Sequence, residues 1–269
     1  MEQNLLLIGC GKMGNALLKG LLDHGILPKA ITIVEPMGIG LVGAGKDVRV
    51  FASPNEIEAN YIPTIIIFAV KPQVMDEIVP NYKRFVSPNI LYLSIAAGKP
   101  STYFERLLGK NKAIIRTMPN TPAAVGCGMT VAFANSNDKK EQKQLAQFLL
   151  ETIGKVSWLD DEASMDAVTA VSGSGPAYIF LLIECLTKAG KRLGLDSILA
   201  EQLARETIIG CGELVKKSEE TAENLRKNVT SPGGTTAAAL KILTGRNGME
   251  TLMIKAIEAA TLRSRELSR

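Results

Sequence analysis

Leu5-Leu6-Leu7-Ile8-Gly9-Cys10-Gly11-Lys12-Met13-Gly14 sets a short apolar run directly ahead of a G-x-G-x-x-G pattern. Four consecutive apolar residues suit a strand covered on both faces of a parallel sheet. Gly14–His24 follows with Leu17, Leu18, Leu21 and Leu22 at helical spacing, and a second strand is expected over Ala30–Val34. In this strand–turn–helix–strand setting each glycine has its own task. Gly9 permits a tight turn, Gly11 lets the main chain approach a pyrophosphate, and Gly14 allows the helix to pack closely on the strand, while the helix N-terminus offers N–H donors to an anion. Gly9, Cys10, Gly11, Lys12, Met13 and Gly14 are therefore expected to bind a dinucleotide. Glu35 falls about 20 residues beyond the last glycine, where an acidic side chain accepts from a ribose 2′-OH and repels a 2′-phosphate. Neither Arg nor Lys occurs between Glu35 and Lys46. The coenzyme is NADPH or NADH, and Glu35 tilts the expectation towards NADH.

Outward from this unit, apolar β-rich runs recur at Thr64–Val70, Ile90–Ser94, Ala113–Arg116 and Met129–Ala134, separated by amphipathic stretches. Such runs predict an α/β fold with a Rossmann-type doubly wound sheet. After about Asp160 helical patterns replace them. Pro176 opens a helix over Ala177–Leu193 that is apolar almost all round in its first turns, and further helices are expected over Asp196–Lys217 and Met249–Leu267. A helix of that kind needs cover on several sides, which a second subunit supplies. The expected domains are a dinucleotide-binding domain over 1–160 and an all-α domain over 161–269.

Composition narrows the function. The chain has 269 residues, and 31 Lys+Arg against 27 Asp+Glu leave a net charge of only +4, no footprint for nucleic acid. A single histidine, His24, reads as a helix end, so neither a metal site nor a Ser/His/Asp triad has its ligands. The four cysteines are scattered and form no C-x-x-C pair, as suits a reduced compartment. The start carries no signal-peptide pattern and no stretch approaches the ~18 apolar residues of a membrane span. The expectation is a soluble cytoplasmic protein with no membrane and no nucleic-acid partner.

Other strand ends carry polar or small residues. Ala69-Val70-Lys71-Pro72 and Ala96-Ala97-Gly98 each finish an apolar strand, and ligands in open α/β sheets lie at the carboxyl ends of strands. Arg116-Thr117-Met118-Pro119-Asn120-Thr121-Pro122 holds Asn120 on a proline-bounded loop that suits a nicotinamide amide or a substrate. Val171-Ser172-Gly173-Ser174-Gly175-Pro176 places Ser172 and Gly173 at a helix entry, where a ligand or plain capping are both compatible. Asn228-Val229-Thr230-Ser231-Pro232-Gly233-Gly234-Thr235-Thr236 precedes an apolar helical run. Unpaired main-chain N–H groups with the hydroxyls of Ser231, Thr235 and Thr236 would converge there on a carboxylate.

Taken in order, G-C-G-K-M-G, A-V-K-P-Q, R-T-M-P-N-T-P, V-S-G-S-G-P-A-Y and V-T-S-P-G-G-T-T resemble the pyrroline-5-carboxylate reductases almost end to end. The resemblance implies an NAD(P)H-binding domain followed by a helical dimerisation domain, a homodimer whose dimers assemble into a decamer, and reduction of the C=N bond of 1-pyrroline-5-carboxylate to L-proline. By the same resemblance Gly9 to Gly14, Asn55, Ala69 to Pro72 and Ala96 to Gly98 surround the coenzyme. Glu219, Asn228, Ser231, Gly233, Gly234, Thr235 and Thr236 surround the substrate, with Thr236 as proton donor to the ring nitrogen. Family members commonly carry a small hydroxyl residue where Glu35 stands. A β-hydroxyacid dehydrogenase shares the domain plan but needs a lysine on the helix after Gly175, where this chain's first lysine is Lys188.

Overall fold

The computed structural model describes residues 4–37, 47–85, 87 and 89–267. In chain order the first unit contains β1 (Leu5–Ile8), α1 (Lys12–Asp23), β2 (Ile31–Val34), β3 (Arg49–Phe51), β4 (Ile65–Phe68), α2 (Met75–Ile78), β5 (Leu91–Ser94), α3 (Ser101–Leu108), β6 (Ala113–Met118), β7 (Gly128–Ala134), α4 (Lys140–Glu151), β8 (Gly154–Leu159) and α5 (Met165–Val168). The strands form one sheet in the order β3-β2-β1-β4-β5-β6-β7-β8. Every pairing is parallel except β6 with β7. That exception leaves the doubly wound sheet mostly parallel, as its apolar runs predict. The short link Pro119–Cys127 is too brief for a crossover, which takes a dozen or more residues, so the chain reverses.

Alternation through the sheet splits the core in two. Leu5, Leu7, Ile31, Ile33, Ile65 and Ile67 face Leu17, Leu18 and Leu21 of α1 and Leu149 and Leu150 of α4. Leu6, Ile8, Ile66, Phe68 and Tyr92 face Met75, Tyr82 and Phe104 on the other side. All four residues of β1, β2, β4 and β5 are buried, and each such large aliphatic contributes about 1.5–3 kcal/mol relative to exposure. His24 terminates α1 as expected, with Nδ1 2.8 Å from the Gly20 carbonyl.

Two strands escaped the sequence reading. β3 is three residues long, and β8 alternates half-buried and exposed positions through Trp158. Both lie at sheet edges, where one face or side meets water and the continuous apolar run is lost. β6 is reinforced by a buried ion pair: Arg116 Nη1 stands 3.0 Å from Glu162 Oε1, with side chains 6% and 18% exposed. The Glu162 carboxylate also accepts from the Ser101 amide (2.8 Å) and hydroxyl (2.6 Å), so one acid ties β6 to the first turn of α3.

The second unit spans Ser174–Ala260, with the chain from Thr261 onward grouped with the first. Its helices are α6 (Gly175–Arg192), α7 (Ser197–Lys217), α8 (Ala222–Asn228), α9 (Thr235–Leu243) and α10 (Met249–Leu267), the last running on past Ala260. α6 and α7 approach closely where Gly190 meets Ala200, a Cβ on Gly190 falling 3.3 Å from that of Ala200. Ile179, Phe180 and Leu181 of α6 are 45–59% exposed in the single chain. Glu162–Arg192 is one helical run long and apolar enough to cross a membrane by length and composition, with 6% of its most apolar window buried. This corrects the expectation that no stretch approaches that size: polar Ser and Thr interrupt the sequence without lowering the average far. Cys10 is buried, whereas Cys127, Cys185 and Cys211 are exposed and unpaired to one another.

Candidate active site

At the carboxyl ends of β1, β2 and β4 the sheet order reverses, and a cleft of about 590 Å³ opens there. Main-chain bonds draw the three strand ends together: the Gly9 amide donates to the Val34 carbonyl and the Ala69 amide to the Ile8 carbonyl, both at 2.8 Å. Gly9 has φ +86°, and a Cβ there would lie 2.6 Å from Val70 Cγ1 and 2.9 Å from the Ala69 carbonyl oxygen. A Cβ on Gly14 would lie 2.5 Å from the Gly9 oxygen, while one on Gly11 meets nothing within 4 Å. The three glycines thus serve a turn, a helix contact and an open approach, in that order. Gly11 caps α1 without a side-chain hydrogen bond, leaving the first amides of the helix to a ligand. Lys12 and Met13 form that first turn, with Lys12 exposed.

Glu35 reaches across the cleft mouth. Its carboxylate accepts from the Cys10 amide at 2.8 Å and from the Met37 amide at 3.2 Å. Two main-chain donors hold it beside the glycine turn, where a ribose hydroxyl can join them as a further donor. Burial, and secondarily the charge of Glu35, push the Cys10 thiol up to about 11, so it stays protonated near neutrality. Residues 38–46, most of the stretch whose lack of cations tilts the coenzyme expectation, lie outside the described residues.

Ala69, Val70 and Lys71 line the cleft, and Pro72 starts the turn beyond it. Asn55 is exposed next to the lining residues Ser53 and Pro54, its amide donating to Ser53 Oγ at 3.3 Å. The wall opposite includes Val74, Ile78, Asn81 and Tyr82; the sequence reading missed them because no spacing distinguishes a cleft wall from an ordinary amphipathic turn. Ala96, Ala97 and Gly98 sit at the end of β5 outside this lining, and Gly98 (φ +77°) packs on the main chain of Leu267, 3.2 Å from a built Cβ. Asn120, Ser172 and Gly173 gather at a second place in the first unit. Asn120 Nδ2 donates to the Ser172 carbonyl and hydroxyl oxygens at 3.3 and 3.4 Å.

In the second unit the chain turns at Gly233 (φ +71°) into α9, whose N-cap, Gly234, provides no side-chain cap. A Cβ on Gly234 would lie 2.5 Å from Ser231 Oγ. The first helical bond runs from the Ala238 amide to the Gly234 carbonyl at 3.2 Å, so the amides of Thr235 to Ala237 precede the ladder. Thr235 is exposed and Thr236 half-buried. Asn228 donates to Glu220 Oε2 at 2.9 Å, whereas Glu219, the acid singled out from the sequence, is exposed on the preceding connection. No group of three His, Cys, Asp or Glu able to hold a metal occurs among the described residues.

A doubly wound sheet with bared amides over a cleft at its switch point, joined to a helical unit, defines a dinucleotide-dependent oxidoreductase. Residues 162–267 match the family model described as pyrroline-5-carboxylate reductase dimerisation, and residues 4–98 match that described as NADP oxidoreductase coenzyme F420-dependent. A pyrroline-5-carboxylate reductase of Pseudomonas aeruginosa is 38% identical over 261 residues, 97% of this chain and 95% of that protein. The solved pyrroline-5-carboxylate reductase of Coxiella burnetii superposes with a TM-score of 0.91 at 34% identity, covering 100% of both chains. That of Plasmodium falciparum, solved with NADP bound, gives 0.84 at 32% identity over 99% of this chain and 98% of its own. The chain belongs to the pyrroline-5-carboxylate reductase family. The matched dimerisation region includes α6, whose apolar residues Ile179, Phe180 and Leu181 are exposed in the single chain.

Proposed function

We propose that, in reducing 1-pyrroline-5-carboxylate to L-proline, this protein prefers NADH as reductant and acts as a homodimer in the cytoplasm, with a dinucleotide-binding domain over 1–160 and a substrate and dimerisation domain over 161–269. The observation that carries the substrate reading is the uncapped start of α9 behind the Gly233–Gly234 turn. Free amides at a helix N-terminus attract a carboxylate, worth about 0.3–1 kcal/mol at an exposed site and more when water is excluded. Ser231, Gly233, Gly234 and Thr235 would hold the ring carboxylate, with Asn228, Glu219, Ser172 and Gly173 on the substrate side. A cyclic imine protonated at nitrogen is already electrophilic, so the protein's main work is to fix its orientation. The Thr236 hydroxyl can donate to the ring nitrogen and relay a proton from solvent. Thr236→Ala is expected to lower kcat at least tenfold, about 1.4 kcal/mol, while the NADH dissociation constant stays within twofold. Wild-type turnover in that variant removes Thr236 from the mechanism.

The residues of the cleft fit a dinucleotide: Gly11 leaves its approach open and the first amides of α1 are uncapped. Gly9 to Gly14 would hold the pyrophosphate, Glu35 and the neighbouring Asn55 the adenosine ribose, and Ala69 to Pro72 and Ala96 to Gly98 the remainder. When bound, the reduced nicotinamide supplies the hydride. Glu35 supports the NADH preference because its carboxylate, held by two amides, would face a 2′-phosphate; like charges at ~4 Å repel by roughly 1–4 kcal/mol. The Plasmodium falciparum relative was solved with NADP bound. Glu35→Ser should shift the NADPH/NADH ratio of kcat/KM at least tenfold towards NADPH, and a shift below threefold sinks the preference. Exposed Cys127, Cys185 and Cys211 suit a reducing cytosol. Assembly of dimers into a decamer follows from the family resemblance, and light scattering reads it.

A further inference from the structure

We propose that Asn120 is a positioning residue: it holds the Ser172–Gly173 turn in place for turnover and does not bind the coenzyme. Asn120 is the N-cap of the tight turn Thr121–Val125, yet its side chain makes no cap bond there. Pro122, within the first two residues of that turn, has no N–H to offer. The carboxamide instead works in two directions across the first unit. Its Oδ1 accepts from the Met129 amide at 2.8 Å, at the start of β7, and its Nδ2 donates to the Ser172 carbonyl and hydroxyl oxygens at 3.3 and 3.4 Å.

The segment it reaches is unusual. Thr169–Gly173 is a π-helical turn, wider than an α-turn and frequent at functional sites. Such a turn needs support from outside, and it has three anchors. Thr169 Oγ1 donates to the Met165 carbonyl at 2.8 Å, Ala170 is fully buried, and Gly173 lies so close over Met118 that a Cβ would overlap that side chain. To these the Asn120 carboxamide adds a hydrogen bond from another element onto Ser172 itself. Met118 and Asn120 flank Pro119, so the end of β6 presents both supports to the same two residues. With both ends of its amide engaged inside the protein, Asn120 has little left for a nicotinamide.

The catalytic half of this proposal rests on the reading that Ser172 and Gly173 border the substrate. Asn120→Asp separates the two bonds: the carboxylate keeps an acceptor for the Met129 amide and loses the donor to the Ser172 carbonyl. In unliganded Asn120→Asp, amide hydrogen exchange across residues 169–173 is expected to accelerate at least tenfold. Imine turnover should fall at least tenfold, while the NADH dissociation constant by fluorescence titration stays within twofold and the melting temperature stays near wild type. Asn120→Ala, which removes both bonds, should show the same exchange effect together with faster exchange at Met129. Unchanged exchange across 169–173 in Asn120→Asp overturns the proposal, as does accelerated exchange with unaltered turnover. Loss of NADH affinity at unaltered kcat returns Asn120 to the coenzyme. A wild-type chain that binds NADH but does not reduce the imine overturns the substrate reading and the catalytic half with it, and the exchange result then still decides the Asn120–Ser172 link.

Discussion

Arg116→Ala is expected to lose about 3–5 kcal/mol of folding stability, the range for breaking one side of a buried ion pair. The magnitude follows from what is left behind: the Glu162 carboxylate, 18% exposed, would keep its bonds from Ser101 and lose the one cation it pairs with among the described residues. The urea midpoint should fall with the slope unchanged, measured at one protein concentration because the subunits associate. Replacing the pair together, as Arg116→Met with Glu162→Leu, should recover much of the loss, because it removes both desolvated charges. A single-variant loss below about 1 kcal/mol would show the pair to be solvated in solution.

The second large effect is at the glycine turn, where two substitutions of the same size should behave differently. Gly9→Ala forces a side chain into a positive φ, costing roughly 1–2 kcal/mol, and into Val70 and the Ala69 carbonyl, costing roughly 1–3 more. Both stability and NADH affinity should fall, the affinity about a hundredfold, or roughly 2.7 kcal/mol. Gly11→Ala has ordinary φ and meets nothing within 4 Å. It should melt like wild type yet bind NADH at least tenfold more weakly, because its methyl occupies the ligand's approach. Calorimetric melting and NADH titration of the two variants measure the contrast. Equal affinity in Gly11→Ala and wild type would mean that the coenzyme does not pass over this turn.

The same turn shows why part of the molecule was legible in advance. Central strands such as Ile65–Phe68 are buried on both faces and must be apolar throughout, and a helix covering them must repeat its leucines at helical spacing. The start of α9 was legible for a related reason, since Gly233 takes a positive φ that favours glycine and a Cβ on Gly234 would crowd Ser231 Oγ. β3 and β8 were not legible, because edge strands share their patterns with loops and helix faces. Gly98 read as a strand end open to a ligand, and its lack of a side chain also makes room for the main chain of Leu267. A sequence marks that a site has no Cβ but not what stands in the space.

By itself the chain's order of residues determined the βαβ opening, the glycine turn, the change to a helical second half and, through five ordered motifs, the family. These are properties of contiguous segments, whose periodicity and glycine placement follow from local geometry. Only the tertiary structure decided the reversal of β7 against β6, the pairing of Arg116 with Glu162, the grip of the Cys10 amide on Glu35, and the reach of Asn120 to Ser172. Each joins groups from separate segments, and which polar groups meet is set by how the packed layers bring their ends together, a choice on which no local periodicity bears.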